Sequence, residues 1–558
     1  MFDRRFLPLV LVALAVMSVF PLTAAAQTGK IQHVLLISID GMHSLDFDNC
    51  VKGVPAYGNL TYCPHLASLS ATGVHYLQAM TSKPSDSFPG LVAQITGGTT
   101  RSAGIFYDVS YDRALSPPKR TTPYGIVGGA ALCPSVIGTQ VGFDEEIDYN
   151  YLKLDSGKPN GSSGINGINP DYLPRDPKNG CVPVYPHSYI RVNTIFNVVK
   201  NAGGYTAWSD KHPSYDFTNG PSGDGVIDLW SPEINSIPVA ISSVPGCKPL
   251  PDPGAAQSTN AWTDSFQNIR CYDQYKVQAV LNWIDGKTHD GSSPAPVPNL
   301  FGMNFQAVSV GEKLVEKSLG LTGGYVDPLG TPSSSLFDEI QYVDGAIGQM
   351  VSELKKQGLL DSTLIIVSAK HGQSPIDLSR VLRIPGDVST DEPPSQIVSP
   401  AGVGPGLPVA QADEDDISML WLTDQSQTAS AVATLAMPAN EDLFGQGEIF
   451  AGPSLMLQFN NPLTDSRVPD IIIAPNVGVI YTGGTGKVAE HGGLAYDDRN
   501  VMLVVSNPSY KAVTFNDQVE TRQIAPTIVK ALGLDPNLLG AVKSEHTETL
   551  PGLPFTQK

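Results

Sequence analysis

The stretch HVLLISIDG (residues 33–41) decides the fold. Its aliphatic and β-branched run stops at Asp40 and can turn at Gly41. A run that is apolar on both faces reads as a strand buried between two layers, as in a parallel sheet. Its terminal carboxylate then falls at the strand's carboxyl end, where open α/β sheets gather their ligands. TLIIVSAKHGQ (363–373) repeats the pattern and ends at Lys370 and His371. SKPSDSFPGLVAQITGG (82–98) carries Ser87, and KVAEHGG (487–493) carries His491. A hydroxyl nucleophile, a carboxylate and two imidazoles brought to one sheet edge describe a metal-assisted hydrolase.

Working outward, 558 residues suffice for two or three domains or for one large α/β domain with insertions. Hydrophobic residues make up 41% and charged residues 16%, the balance of a core-forming chain and not of a disordered one. The net charge of -19 excludes a protein that wraps a nucleic-acid polymer, which needs a basic surface to displace counterions. It leaves room for a small phosphorylated substrate, because a metal site is locally cationic even on an acidic protein.

At the N-terminus, Arg4 and Arg5 precede an apolar segment from Leu7 to Phe20 and the small residues Ala24, Ala25 and Ala26. This order predicts a signal peptide over 1–26 and hence a secreted or periplasmic protein. No later stretch is long and apolar enough to span a bilayer. In an oxidising compartment the six cysteines suggest disulfides, and sequential pairing is the expectation.

Strand-like runs occur at 34–39, 364–367, 470–473 and 501–505, and the clearest helix is LFDEIQYVDGAIGQMVSELKKQG (336–358). Its apolar residues Leu336, Ile340, Val343, Ile347, Met350 and Leu354 recur every three or four positions. The serines at 333–335 offer an N-cap, Lys355 and Lys356 suit the negative end of the dipole, and Gly358 can close it. Helix followed by strand predicts an α/β fold: a mostly parallel sheet sandwiched by helices. Segments rich in Gly, Pro, Asn and Ser read as loop-rich insertions at about 114–189, 231–290 and 381–464 in a domain spanning 27–558, forming a cap over the strand ends.

Pro89 suits a first helical turn, which puts Ser87 beside unpaired N–H groups that favour phosphate; the plainer reading is that Ser87 caps the helix. Asp40 reads as a metal ligand or base, or as a turn cap. SDKHPSYD, with Asp210 and His212, reads as a polar turn supporting the site or as a source of further ligands, and the acidic run at 413–416 as a solvated patch. Asn59 and Asn160 head glycosylation acceptor triplets.

In this order, Asp-Gly, Ser-Phe-Pro, Ser-Ala-Lys-His-Gly and Glu-His-Gly-Gly resemble the alkaline phosphatase superfamily, most closely its nucleotide pyrophosphatase/phosphodiesterase branch. GIFYD (104–108) and RVPDIIIAP (467–475) add to the likeness. The resemblance implies an alkaline phosphatase-like fold, with Ser87 as the nucleophile that becomes phosphorylated. It implies a divalent metal, usually zinc in this family, as one or two ions. Asp40, Ser87 and His371 would hold the first, and His491 would belong to the second. Lys370 stands where the family has an aspartate, so it either turns away or takes part of the metal's charge and contacts phosphate as a catalytic group. Asn304 and Gln306 stand where charged ligands are expected and are assigned to substrate binding. Asp108 replaces an asparagine that holds the substrate's oxygen, with Arg113 or Lys83 as the expected compensating charge. The expectation is a secreted hydrolase of phosphate esters, diesters or nucleotide pyrophosphates, acting on a small molecule. A sulfate or phosphonate ester hydrolase, or a binding protein that has lost hydrolysis, remains open.

Overall fold

The computed structural model describes residues 31–123, 125–143, 147–158, 164–236, 262–404 and 406–555. Residues 1–26, expected to be a signal peptide, Asn160 and Cys247 lie outside them. His33–Ile39 is a strand buried at every position, as its composition requires. Its side chains alternate between two cores: Val34 and Leu36 face one, and Leu35, Ile37 and Ile39 face the other. Burying both faces contributes about 1.5–3 kcal/mol for each large aliphatic side chain, and so fixes the strand's central place.

It pairs in parallel with Thr363–Ser368 on one side and Leu300–Phe305 on the other. Beyond Leu300–Phe305 lie Ala207–Ser209 and Asp228–Trp230, also parallel. On the far side, Leu503–Ser506 runs antiparallel to Thr363–Ser368 and to Gly73–Met80, and Val513–Glu520 completes an eight-stranded sheet. The fold is thus α/β, with a mostly parallel sheet between helices. One consequence decides the site: Asp40, Asn304, Lys370 and the Asp210–Lys211 pair all sit at the same carboxyl edge on neighbouring strands.

The Ser334–Lys356 helix lies where its periodicity predicts, with Ser333 capping Leu336 N and the apolar stripe buried. It packs against the Phe266–Ile284 helix on one face of the sheet. The run at 470–473 belongs to a second, antiparallel sheet of four strands: Val409–Glu414, Ser418–Leu422, Ile471–Pro475 and Gln446–Ala451. Its Trp421 and Ile472 share a core with Phe106 and Tyr107 of the GIFYD segment. The acidic run at 413–416, expected in solvent, instead turns inward, with Asp413 and Asp416 buried. Asp415 accepts a 2.6 Å hydrogen bond from Tyr107, and Asp416 one of 2.8 Å from Ser374. The run bridges two strands of a sheet packed on the core, so its carboxylates find hydroxyl donors there. Cys50–Cys63 and Cys133–Cys181 are bridged, as sequential pairing predicts.

Candidate active site

Ser87 opens the ten-residue helix Ser87–Thr96, which is buried along its whole length. The helix is capped by Asp86, whose side chain accepts from Phe88 N at 3.0 Å. The cap reading of Ser87 is therefore corrected by one residue, and its hydroxyl is left free for other partners. Gly90 brings this helix against the neighbouring strand end: a Cβ there would lie 2.2 Å from the Lys370 carbonyl oxygen. Only a residue without that atom lets Ser87 approach His371 so closely.

Ser87 Oγ lies 3.2 Å from His371 Nε2 and 3.3 Å from Asp40 Oδ2. It also accepts a hydrogen bond from Lys211 Nζ at 3.2 Å. Asp40 Oδ2 lies 3.7 Å from His371 Nε2, 3.9 Å from Lys370 Nζ and 4.0 Å from Lys211 Nζ. Asn304 and Gln306, expected at the substrate, donate their amides to the same Asp40 oxygen at 3.1 and 2.5 Å. Lys370 is fully buried and donates to Asp210 Oδ1 and Tyr215 OH, each at 3.0 Å. Its ammonium also lies 4.2 Å from the centre of the Tyr215 ring. The Lys370 side chain thus turns towards Asp40 and Asp210, not away from them.

The His491 ring is 4.3 Å from that of His371, and its Nδ1 is 3.6 Å from Asp86 Oδ2. A backbone hydrogen bond from Gly492 N to Ser85 O anchors this late segment beside the serine. Arg113 does not compensate Asp108, because its guanidinium is committed to Asp470 and the Val468 carbonyl. Lys83 lines a separate hollow with Arg499 and Glu520. Lys211 is a cation that interacts with Asp108, which also faces the carboxylates of Asp86 and Asp415.

These charges are mutually tuned. Burial pushes Asp40 up, but Lys370, His371 and Lys211 hold it well below the ordinary carboxylate range. Burial lowers His371, with Asp40 only partly offsetting it. Lys211 moves up despite burial, under the pull of Asp40, Asp108 and Asp86. Burial, reinforced by Asp108, raises Asp86 well above the usual value. Burial and the neighbouring His371 drive His491 well down.

Does a divalent ion fit here? Asp40 Oδ2, Ser87 Oγ and His371 Nε2 stand 3.2–3.7 Å apart, a spacing compatible with ligands of one cation. The charges pull in opposite directions. An ion within reach of Asp40 would face each ammonium across about 4–6 Å, a repulsion of roughly 5–8 kcal/mol each at an effective dielectric of about 20, while the Asp40 carboxylate, whose Oδ1 is buried without a hydrogen-bond partner among the described residues, would attract it. The positive charge that the expected metal would bring to Ser87 is already supplied there by Lys211 and Lys370. Among the described residues, His43, Asp46 and Glu312 form a group of imidazole and carboxylate ligands alone, their ligand atoms within 4.8 Å of one another. There burial lowers the imidazole, but Glu312 and Asp46 outweigh it and raise His43 well above its usual value.

Sequence reading singled out every residue around Ser87 Oγ except Lys211. It considered Asp210 and His212 on either side. The missed signal was the short run YTAWSD (205–210), which delivers its terminal residues to the sheet edge by the rule that located Asp40 and His371.

An α/β sheet that gathers serine, aspartate and imidazole at its carboxyl edge is the frame of the alkaline phosphatase superfamily. The chain belongs to the type I phosphodiesterase / nucleotide pyrophosphatase family, whose profile matches residues 34–125 and 236–497. Among solved structures it is similar to murine ectonucleotide pyrophosphatase / phosphodiesterase 5, at 14% identity and a TM-score of 0.48, covering 90% of this chain and 96% of that one. An inactive variant of the murine protein in complex with AMP matches with the same figures. The human counterpart matches at 13% identity and a TM-score of 0.49, covering 94% and 97%. No curated protein sequence matches. Among the described residues no helix is long and apolar enough to cross a membrane.

Proposed function

We propose that this protein hydrolyses phosphate esters, with diesters or nucleotide pyrophosphates as substrates, through a phosphoserine formed on Ser87. The observation that carries the reading is the Ser87 hydroxyl, at the first turn of a buried helix and within 3.3 Å of both an imidazole and a carboxylate. In-line attack by Oγ would put the phosphoryl oxygens near the helix N-terminus and the Lys211 ammonium, both favourable to the charge that develops there. Export follows from the N-terminal segment and agrees with the disulfides. The insertions would act as a cap over the strand ends, and Asp108 and His491 would face the substrate from that side. Zinc, the family expectation, has no step in this reading, because Lys211 and Lys370 already place positive charge beside Ser87 and Asp40.

Turnover of bis-p-nitrophenyl phosphate, p-nitrophenyl phosphate and a dinucleotide pyrophosphate by wild type and Ser87→Ala is the test. The wild type is expected to prefer the diester or the pyrophosphate, and the variant to lose turnover while remaining folded. Undiminished activity in Ser87→Ala would overturn the assignment.

A further inference from the structure

The family's metal performs two tasks at its serine: it supplies positive charge and it lowers the hydroxyl's pKa. Here both tasks have other holders. The positive charge beside Ser87 Oγ is the Lys211 ammonium at 3.2 Å, with the Lys370 ammonium 3.9 Å from the shared Asp40 carboxylate. Lys370 cannot leave, since it is buried and held by Asp210 and Tyr215.

The proton's destination follows from hydrogen-bond logic. His371 Nδ1 lies 2.9 Å from the Gly372 carbonyl, and a carbonyl only accepts. Nδ1 therefore carries the ring's hydrogen, which leaves the Nε2 lone pair pointing at Ser87 Oγ, 3.2 Å away. Asp40 is the other group near the hydroxyl, but its Oδ2 already takes the Asn304 and Gln306 amides and faces two ammoniums. An imidazole freed from a metal is available as a base.

We propose that Lys211, backed by Lys370, replaces the metal's charge and that His371 Nε2 is the general base, so that Ser87 is phosphorylated without a divalent cation. This rests on the reading of Ser87 as the nucleophile. In the first step the Ser87 proton passes to His371 as Oγ bonds to phosphorus. The bond to the leaving oxygen breaks, and its electron pair departs on that oxygen. In the second step water attacks phosphorus from the opposite side and gives its surplus proton to solvent or to the departed oxyanion. The phosphorus–Oγ bond breaks, and the His371 imidazolium returns its proton to Ser87. Lys211 holds the charge on Oγ in both steps.

The test is covalent labelling of the full chain with a fluorophosphonate, read by peptide mass spectrometry, with and without EDTA. Ser87 attack would expel fluoride and leave the phosphonyl group on Oγ. Labelling at Ser87 is expected to be undiminished in EDTA and absent in Ser87→Ala. Lys211→Met should slow it about a thousandfold through loss of the charge at Oγ, while Lys211→Arg keeps it within about tenfold. His371→Ala should slow it by roughly 10²–10⁴. The restoring effect of arginine separates a charge role from a folding defect. Labelling that stops in EDTA and returns with zinc would overturn the inference. So would an unlabelled wild-type Ser87, or Lys211→Met reacting at the wild-type rate. Labelling in EDTA with no ester turned over would leave this inference standing and remove the proposed function. Turnover that needs Ser87 and is abolished by EDTA would do the reverse.

Discussion

Gly90→Ala tests how tightly the nucleophile helix is seated on the strand that carries His371. Two effects oppose each other. Alanine in place of a helical glycine stabilises by about 0.5–1 kcal/mol through backbone entropy. Against this, the new Cβ would lie 2.2 Å from the Lys370 carbonyl oxygen and 2.8 Å from its carbon. That is about 1 Å inside ordinary contact, and the obstacle is backbone. The helix is buried on every side, so it cannot roll away without disturbing other contacts. Overpacking of this kind costs about 1–3 kcal/mol and outweighs the entropy gain. A net loss of about 1–2 kcal/mol in urea unfolding is expected. The chemical consequence is larger. Relief by a shift of about 1 Å would carry Ser87 Oγ beyond hydrogen-bond reach of His371, and displacements of that size cost on the order of 100-fold in rate. The variant should fold, with a lowered midpoint and kcat on the diester reduced about a hundredfold. An unchanged or raised midpoint together with wild-type kcat would refute the described packing of helix against strand.

Lys370→Asp would leave Asp40, Asp210 and the new carboxylate facing Lys211 alone, a loss of about 3–5 kcal/mol for a buried unpaired charge. Added zinc should raise the variant's thermal midpoint well above any shift in wild type, and equal responses would show that Lys370 does not guard this position. Asp465 provides a pH test: burial pushes its pKa up, but hydrogen bonds from Arg191 and Asn460 more than offset this and bring it to about 2. A depressed carboxyl stabilises above its unfolded pKa near 4 and loses that contribution as pH falls towards 2. Discounted for partial solvent screening, wild type should exceed Asp465→Asn by about 1–2 kcal/mol at pH 5 and converge with it near pH 2. A gap constant with pH in urea titrations would contradict that pairing. Ser87→Ala, finally, should lower the unfolding free energy by no more than about 1.5 kcal/mol, since its hydroxyl caps nothing and only its bonds to Asp40, His371 and Lys211 are lost.

What the sequence by itself determined lies within single segments. The run at 33–39 can be buried only on both faces, so a central parallel strand ending at Asp40 follows from local composition. The same argument places Lys370 and His371, and the spacing from Leu336 to Leu354 places its helix. Tertiary structure alone decided which charges meet. Ala207–Ser209 is too short to stand out in the sequence, yet its pairing beside Leu300–Phe305 brings Lys211 to a serine 124 positions away in the chain. The acidic run at 413–416 has the composition of a solvated patch, but packing of the second sheet turns it towards Tyr107 and Ser374. Periodicity encodes whether a segment is buried. The sign and reach of the field at Ser87 depend on distances between strands that only the assembled sheet fixes.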